Sequence, residues 1–112
     1  MEVRKEQTVC EWVGVTPVPP KSNSKVGIAL GSLGKGIIHG LRHAEVGDTN
    51  GWYIWCGEDF SNDAKFFQPL HASHVYEDYP EVAPFLGLPP GFRFMFGPGA
   101  VDIWFDKSLL KV

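Results

Sequence analysis

Apolar and polar residues divide this chain into short, punctuated segments. The first 25 residues are mostly polar, and they predict an arm or edge segment with a short helix at about 4–12. Pro17, Pro19 and Pro20 fix φ and remove backbone donors, so no long central strand can run through them. Val26-Gly27-Ile28-Ala29-Leu30 is an apolar run bounded by Lys25 and Gly31 and reads as a buried strand. A glycine-rich loop follows, and Asp48-Thr49-Asn50-Gly51 carries a turn signal, because Asn-Gly accommodates positive φ. In Trp52-Tyr53-Ile54-Trp55-Cys56 both alternating faces are apolar, which predicts a central strand covered on both sides.

Helical signals come next. Ser61, Asn62 and Asp63 can cap a short helix running to Gln68, anchored by Phe66 and Phe67 and broken at Pro69. His71, Val75 and Tyr79 share helical spacing. Pro80 suits the first position of a further short helix whose stripe is Val82, Phe85 and Leu86, with Gly87 closing it. After the turn Leu88-Pro89-Pro90-Gly91, Phe92, Phe94 and Phe96 alternate with Arg93 and Met95. Gly97-Pro98-Gly99-Ala100 turns the chain, and Val101, Ile103 and Phe105 alternate with Asp102 and Trp104. That is a hairpin with Phe92, Phe94, Phe96, Val101, Ile103 and Phe105 toward a core and Asp102, Trp104 and Asp106 on the opposite face. Strands and helices are segregated, which predicts an α+β fold. Its mostly antiparallel sheet, with a C-terminal hairpin, packs against two or three short helices from residues 61–87. The 112 residues suit a single domain, with 1–25 as the arm and 26–110 as the core.

Composition is ordinary for a globular chain, at 44% hydrophobic and 21% charged, which excludes disorder for the bulk of it. The net charge is −3 and is unevenly spread: residues 1–50 carry +1 and residues 51–112 carry −4. The longest basic run is Arg4-Lys5, which argues against a nucleic-acid binder. The acidic C-terminal half suits either simple solubility or a basic partner. Met1 is followed by charged Glu2, Arg4, Lys5 and Glu6, unlike a secretory leader, and no apolar stretch reaches membrane-spanning length. A cytoplasmic protein with reduced thiols at Cys10 and Cys56 is the expectation.

Candidate catalytic chemistry is incomplete. The loop Gly31-Ser32-Leu33-Gly34-Lys35-Gly36 fails as a phosphate cradle: Ala29 stands where the first glycine belongs and Gly36 replaces the Ser or Thr after the lysine. Ser32 lacks the glycine that a nucleophile elbow requires two residues before it. Pro17 and Pro20 have PxxP spacing, which a rigid linker also explains. His71 and His74 sit about one helical turn apart. They could belong to a metal-binding or enzymatic site with Cys56, but no complete ligand set accompanies them. No metal and no cofactor is called for. Trp104 between Asp102 and Asp106 presents an aromatic anchor rimmed by acids if its face is open, and is core if a helix covers it.

Residues 51–110 carry a recognisable pattern. It comprises Gly51-Trp52-Tyr53-Ile54-Trp55, Gly57-Glu58-Asp59-Phe60-Ser61, Phe66-Phe67-Gln68-Pro69-Leu70-His71 and Pro80-Glu81-Val82. It continues through Leu86-Gly87-Leu88-Pro89-Pro90-Gly91-Phe92-Arg93-Phe94 to Asp102-Ile103-Trp104-Phe105-Asp106-Lys107-Ser108-Leu109-Leu110. This resembles the number-33 immunity-protein family of bacterial polymorphic toxin systems, and with Gly47-Asp48-Thr49 the likeness extends over roughly residues 10–110. The resemblance implies an α+β domain that neutralises a cognate protein toxin by binding it, without catalysis. The stretch Phe96-Gly97-Pro98-Gly99-Ala100-Val101 departs from it, where a more acidic turn is expected. The expected partner-binding residues are Asp102, Trp104 and Asp106, then Glu58 and Asp59 after the central strand. A self-associating module, with Trp104 buried against a second copy in a homodimer, is the other non-enzymatic reading.

Overall fold

The computed structural model describes residues 5–29, 36–57 and 67–110. Helix α1 (Lys5–Val13) is followed by strands β1 (Lys25–Ile28), β2 (Ile38–Arg42), β3 (Thr49–Cys56) and β4 (Gln68–His71). Helix α2 (Ala72–Asp78), a 3-10 turn at Ala83–Phe85, strands β5 (Phe92–Gly97) and β6 (Ala100–Phe105), and a last 3-10 turn at Lys107–Leu110 complete the chain. The strands form one sheet in the order β4-β1-β3-β2-β5-β6.

The fold is α+β as expected, but the sheet is mixed, because β1 and β3 pair in parallel while the other pairings are antiparallel. The physical cause is an insertion. β3 folds back on β2 and slots between β2 and β1, and β1 already runs opposite to β2. Strand β3 is central, as its doubly apolar pattern requires. Trp52 and Ile54 enter one cluster with Val26, Ile28 and Phe94; Trp55, beside half-buried Tyr53, enters a second with Ala29, Leu41 and Leu109. Each large side chain buried this way contributes roughly 1.5–3 kcal/mol.

Local sequence signals were used differently from expectation at several points. Asn50-Gly51 does not turn the chain; it lies inside β3. Gly51 adopts φ +88° there, and the register against β1 shifts in the same stretch. The reversal occurs just before it, where Val46 and Thr49 exchange backbone hydrogen bonds around Gly47 at φ +61°. Gln68, expected to end a helix, instead begins β4, and residues 61–66 of that predicted helix lie outside the described residues. Pro69 fits β4 because an edge strand tolerates a missing donor. The segment opening at Pro80 forms a single 3-10 turn at Ala83–Phe85, so Pro84 leaves no longer helix.

Helix α1, α2 and residues 82–88 cover one face of the sheet. They supply Val9 and Cys10, Ala72 and Val75, then Val82, Phe85, Leu86 and Leu88 to a core shared with Val26, Ile28, Trp52, Ile54 and Phe94. Phe85 stacks on Phe94 at 4.5 Å and on Phe96 at 4.9 Å. Strand β2, which carries no clear strand pattern, passes beneath this stack at Gly40. A Cβ at that position would overlap the Phe94 ring.

Arg42, at the end of β2, is fully buried and clamps this cover to the sheet. Its Nη1 donates to the Val18 carbonyl at 2.6 Å and the Leu88 carbonyl at 2.7 Å, and its Nε donates to the Asn50 carbonyl at 2.9 Å. The guanidinium lies 5.6 Å from the Trp52 ring, whose Nε1 donates to the Leu86 carbonyl at 3.0 Å. Burial pulls its pKa below the ordinary arginine value, and Glu45, 3.7 Å from Nη2, pulls it back up. Buried Asn50 completes the junction: its Oδ1 accepts from the Trp52 backbone N–H at 3.1 Å and its Nδ2 donates to Ser24 Oγ at 3.0 Å.

Two stability predictions follow from these contacts. Gly40→Ala should destabilise the protein by about 1–3 kcal/mol through overpacking against Phe94, lowering the urea midpoint without altering the slope. Arg42→Met should cost more than about 3 kcal/mol, because it strips buried carbonyls of their donor, and Arg42→Lys should recover only part of that.

Candidate functional site: the C-terminal hairpin and its outer edge

The hairpin forms as its alternation predicts, with Phe92 opposite Phe105, Phe94 opposite Ile103 and Gly97 opposite Ala100. Pro98 presets the turn and Gly99 takes φ +73°, the backbone combination of a type II turn. Phe94 is buried, and Phe92, Phe96 and Ile103 pack around it on the covered face.

Among the described residues, strand β6 borders the sheet with no strand beyond it. That position changes the fate of its apolar residues. Val101 and Phe105, expected to face a core, are 57% and 52% exposed, and only Ile103 among them is drawn in. Phe105 is held at its base by Phe92, edge to face at 5.3 Å, and by Gly91 at φ +99°, where a Cβ would overlap the Phe105 ring.

On the opposite face Trp104 is 36% exposed. The Arg93 guanidinium lies over its ring at 5.5 Å, and Arg93 Nη1 reaches Asp106 Oδ2 at 3.3 Å. Asp106 is therefore tied into the structure. Its Oδ1 accepts from the Ser108 hydroxyl at 2.6 Å and the Ser108 backbone N–H at 3.1 Å, which caps the final 3-10 turn. Its own backbone N–H donates to the Gly91 carbonyl at 2.7 Å, and the Gly91 N–H donates to the Arg42 carbonyl at 2.8 Å, so the hairpin base is coupled to the buried clamp. Asp102 is exposed on the same face as Trp104. Glu58 and Asp59 lie outside the described residues, as does the glycine-rich stretch 30–35.

The candidate catalytic groups do not converge. His71 and His74 are exposed, with ring centroids 5.7 Å apart. Cys56 is buried beside an apolar cavity of about 200 Å³, also lined by Ile28, Ile38, Ile54, Tyr79, Glu81 and Val82. His43 Nδ1 donates to the Leu109 carbonyl at 3.0 Å, and His39 stacks on Trp55 at 5.2 Å. Among the described residues, no three His, Cys, Asp or Glu side chains are grouped to hold a metal ion, and no helix is long and apolar enough to cross a membrane.

The sequence reading missed Arg93 as the residue that holds Trp104, and missed Val101 and Phe105 as surface residues. The alternation Phe92–Phe96 does show that Arg93 and Trp104 belong to one face once their strands pair. Nothing local shows that β6 is the last strand of the sheet.

The Ser108 hydroxyl, then its backbone N–H and Arg93, hold the Asp106 carboxyl below its ordinary value. A depressed carboxyl stabilises the fold above its unfolded pKa, and that contribution is lost as pH falls through the lower, folded value. Ser108→Ala should raise the Asp106 pKa toward the ordinary aspartate value of about 3.9, read by carboxyl-carbon NMR titration.

In comparison with known proteins, residues 5–106 fit the model of a family described as the Imm33-like domain. No curated protein and no solved structure matches the chain.

Proposed function

The chain belongs to the Imm33-like domain family, and on that premise we propose that it is a non-catalytic immunity protein that neutralises a cognate bacterial toxin domain by binding it directly. The observation that carries the choice of surface is Trp104, exposed at the sheet edge and held in place by Arg93. A pre-positioned aromatic side chain loses little entropy on binding and makes an effective anchor. Asp102 and Asp106 flank it, and Glu58 and Asp59 belong to the same acidic half of the chain, which carries −4 over residues 51–112. The resulting field steers a basic toxin surface into contact. Asp106 acts mainly by positioning Arg93, and Asp102 offers its carboxylate to the partner. The protein works in the cytoplasm, needs no metal or cofactor, and acts by occluding the toxin.

An enzymatic reading built on His71, His74 and Cys56 finds less support. Neither histidine lines the cavity beside Cys56.

The test is affinity capture with the full chain in the bacterium that encodes it, followed by mass spectrometry. One stoichiometric toxin-domain polypeptide is the expected result; its absence, from cells expressing the neighbouring genes, argues against the reading. With that toxin in hand, Trp104→Ala should weaken binding by more than about 2 kcal/mol, roughly thirtyfold, by calorimetry. Unchanged affinity in a folded variant removes Trp104 from the interface.

A further inference from the structure

The two borders of the sheet are built differently. Strand β4 spans only Gln68–His71, contains Pro69, and is mostly exposed, and a short strand with a proline is a usual means of blunting an edge. Strand β6 spans Ala100–Phe105 without proline, has Asp102 as its single charge, and exposes Val101, Trp104 and Phe105. An edge of that kind is a template for another strand.

The hairpin register identifies which backbone groups are free. Across a two-residue turn the flanking pair, here Gly97 and Ala100, exchanges hydrogen bonds, and bonded pairs then recur at every second position. Ala100, Asp102 and Trp104 thus turn their N–H and C=O toward β5, and Val101, Ile103 and Phe105 turn theirs outward. These three residues also share one face of the strand, the face opposite Asp102 and Trp104.

We propose that β6 pairs antiparallel with β6 of a second copy of this chain, about a two-fold axis at Ile103, joining the two sheets into one. In this register Ile103 faces Ile103 of the second copy and Val101 faces Phe105 of the second copy, so every outward N–H and C=O finds a partner. The exposed Val101 and Phe105 side chains cover each other on the apolar face. On the other face, Asp102 of the second copy lies opposite Trp104, beside the ring that Arg93 caps, so the otherwise unpaired carboxylate meets a cationic rim. The neighbouring registers are worse. A two-fold axis at Asp102 sets two carboxylates face to face, and one at Trp104 leaves Val101 uncovered. Each copy contributes the same patch, as an isologous interface requires. The inference rests on the strand register and not on the proposed toxin contact, but it uses the same border, so a toxin that takes Trp104 and Asp102 competes with the second copy.

Sedimentation velocity of the full-length chain tests it. A small strand-to-strand interface predicts a dissociation constant on the order of 10 μM, so the species should pass from 12.4 kDa to twice that mass over concentrations bracketing this value. Val101→Lys, at an exposed position, should weaken the dimer at least about tenfold by placing an ammonium against Phe105 of the second copy. The register is read by oxidation. The double variant Val101→Cys with Phe105→Cys should form an intermolecular disulfide. Val101→Cys alone should not, because its counterpart lies about 13 Å away along the strand. A monomer at every concentration overturns the proposal and leaves the edge for a strand of another protein. A dimer that Val101→Lys leaves intact, or that cross-links equally through the single cysteine variant, also overturns it.

Discussion

Buried Arg42 is the constraint on which the arrangement depends. One guanidinium collects carbonyls from the proline-rich N-terminal segment at Val18, from the central strand at Asn50 and from the post-helical turn at Leu88. Removing a full charge from water is costly, and only dense donation to fixed acceptors offsets the loss. That requirement fixes relative positions: residues 18, 50 and 88 must arrive at the end of β2 together, or the arginine is left unpaired. Asn50 and the Trp52 indole extend the same network, so the polar centre of the covered face works as a register device within an otherwise apolar core. The backbone of Arg42 carries the constraint outward through Gly91 to Asp106, at the foot of the hairpin.

The two sides of the sheet have different tasks. Helices α1 and α2 and residues 82–88 supply close-packed cover on one side, where Phe85, Phe94 and Phe96 stack. The other side is held by a smaller cluster around Trp55, Leu41 and Leu109, and toward β6 it carries Arg93, Trp104 and Asp102 at the surface. The larger buried cluster lies at the covered centre, and the border exposes Val101, Trp104 and Phe105.

Legibility followed how local the determining physics is. Strand β3, helix α2 and the β5–β6 hairpin were readable because alternation, helical spacing and the Pro98-Gly99 turn act within a few residues. Strand β2 was not, because Gly40 is there for the Phe94 ring above it and Arg42 for carbonyls distant in sequence; neither leaves a strand-like pattern. Strand β4 was hidden by Pro69, which breaks helices and central strands but is harmless on an edge. Asn50-Gly51 did predict a positive φ, and Gly51 has one, but pairing on both sides of β3 places it within the strand, while Gly47 makes the reversal. Of the candidate site, Asp102, Trp104 and Asp106 were legible as one face of a hairpin, whereas the Arg93 contact that orders Trp104 needed the strand pairing.

The sequence by itself determined the α+β class, the doubly covered central strand, the hairpin and the family, since each rests on residue periodicity or on a string of motifs in order. Tertiary structure decided the parallel pairing of β1 with β3, the burial of Arg42 and the place of β6 at the border. Those depend on which strand lies beside which. Strand order is settled by contacts between residues far apart in the chain, so no local pattern encodes whether Val101 and Phe105 meet a core or the solvent.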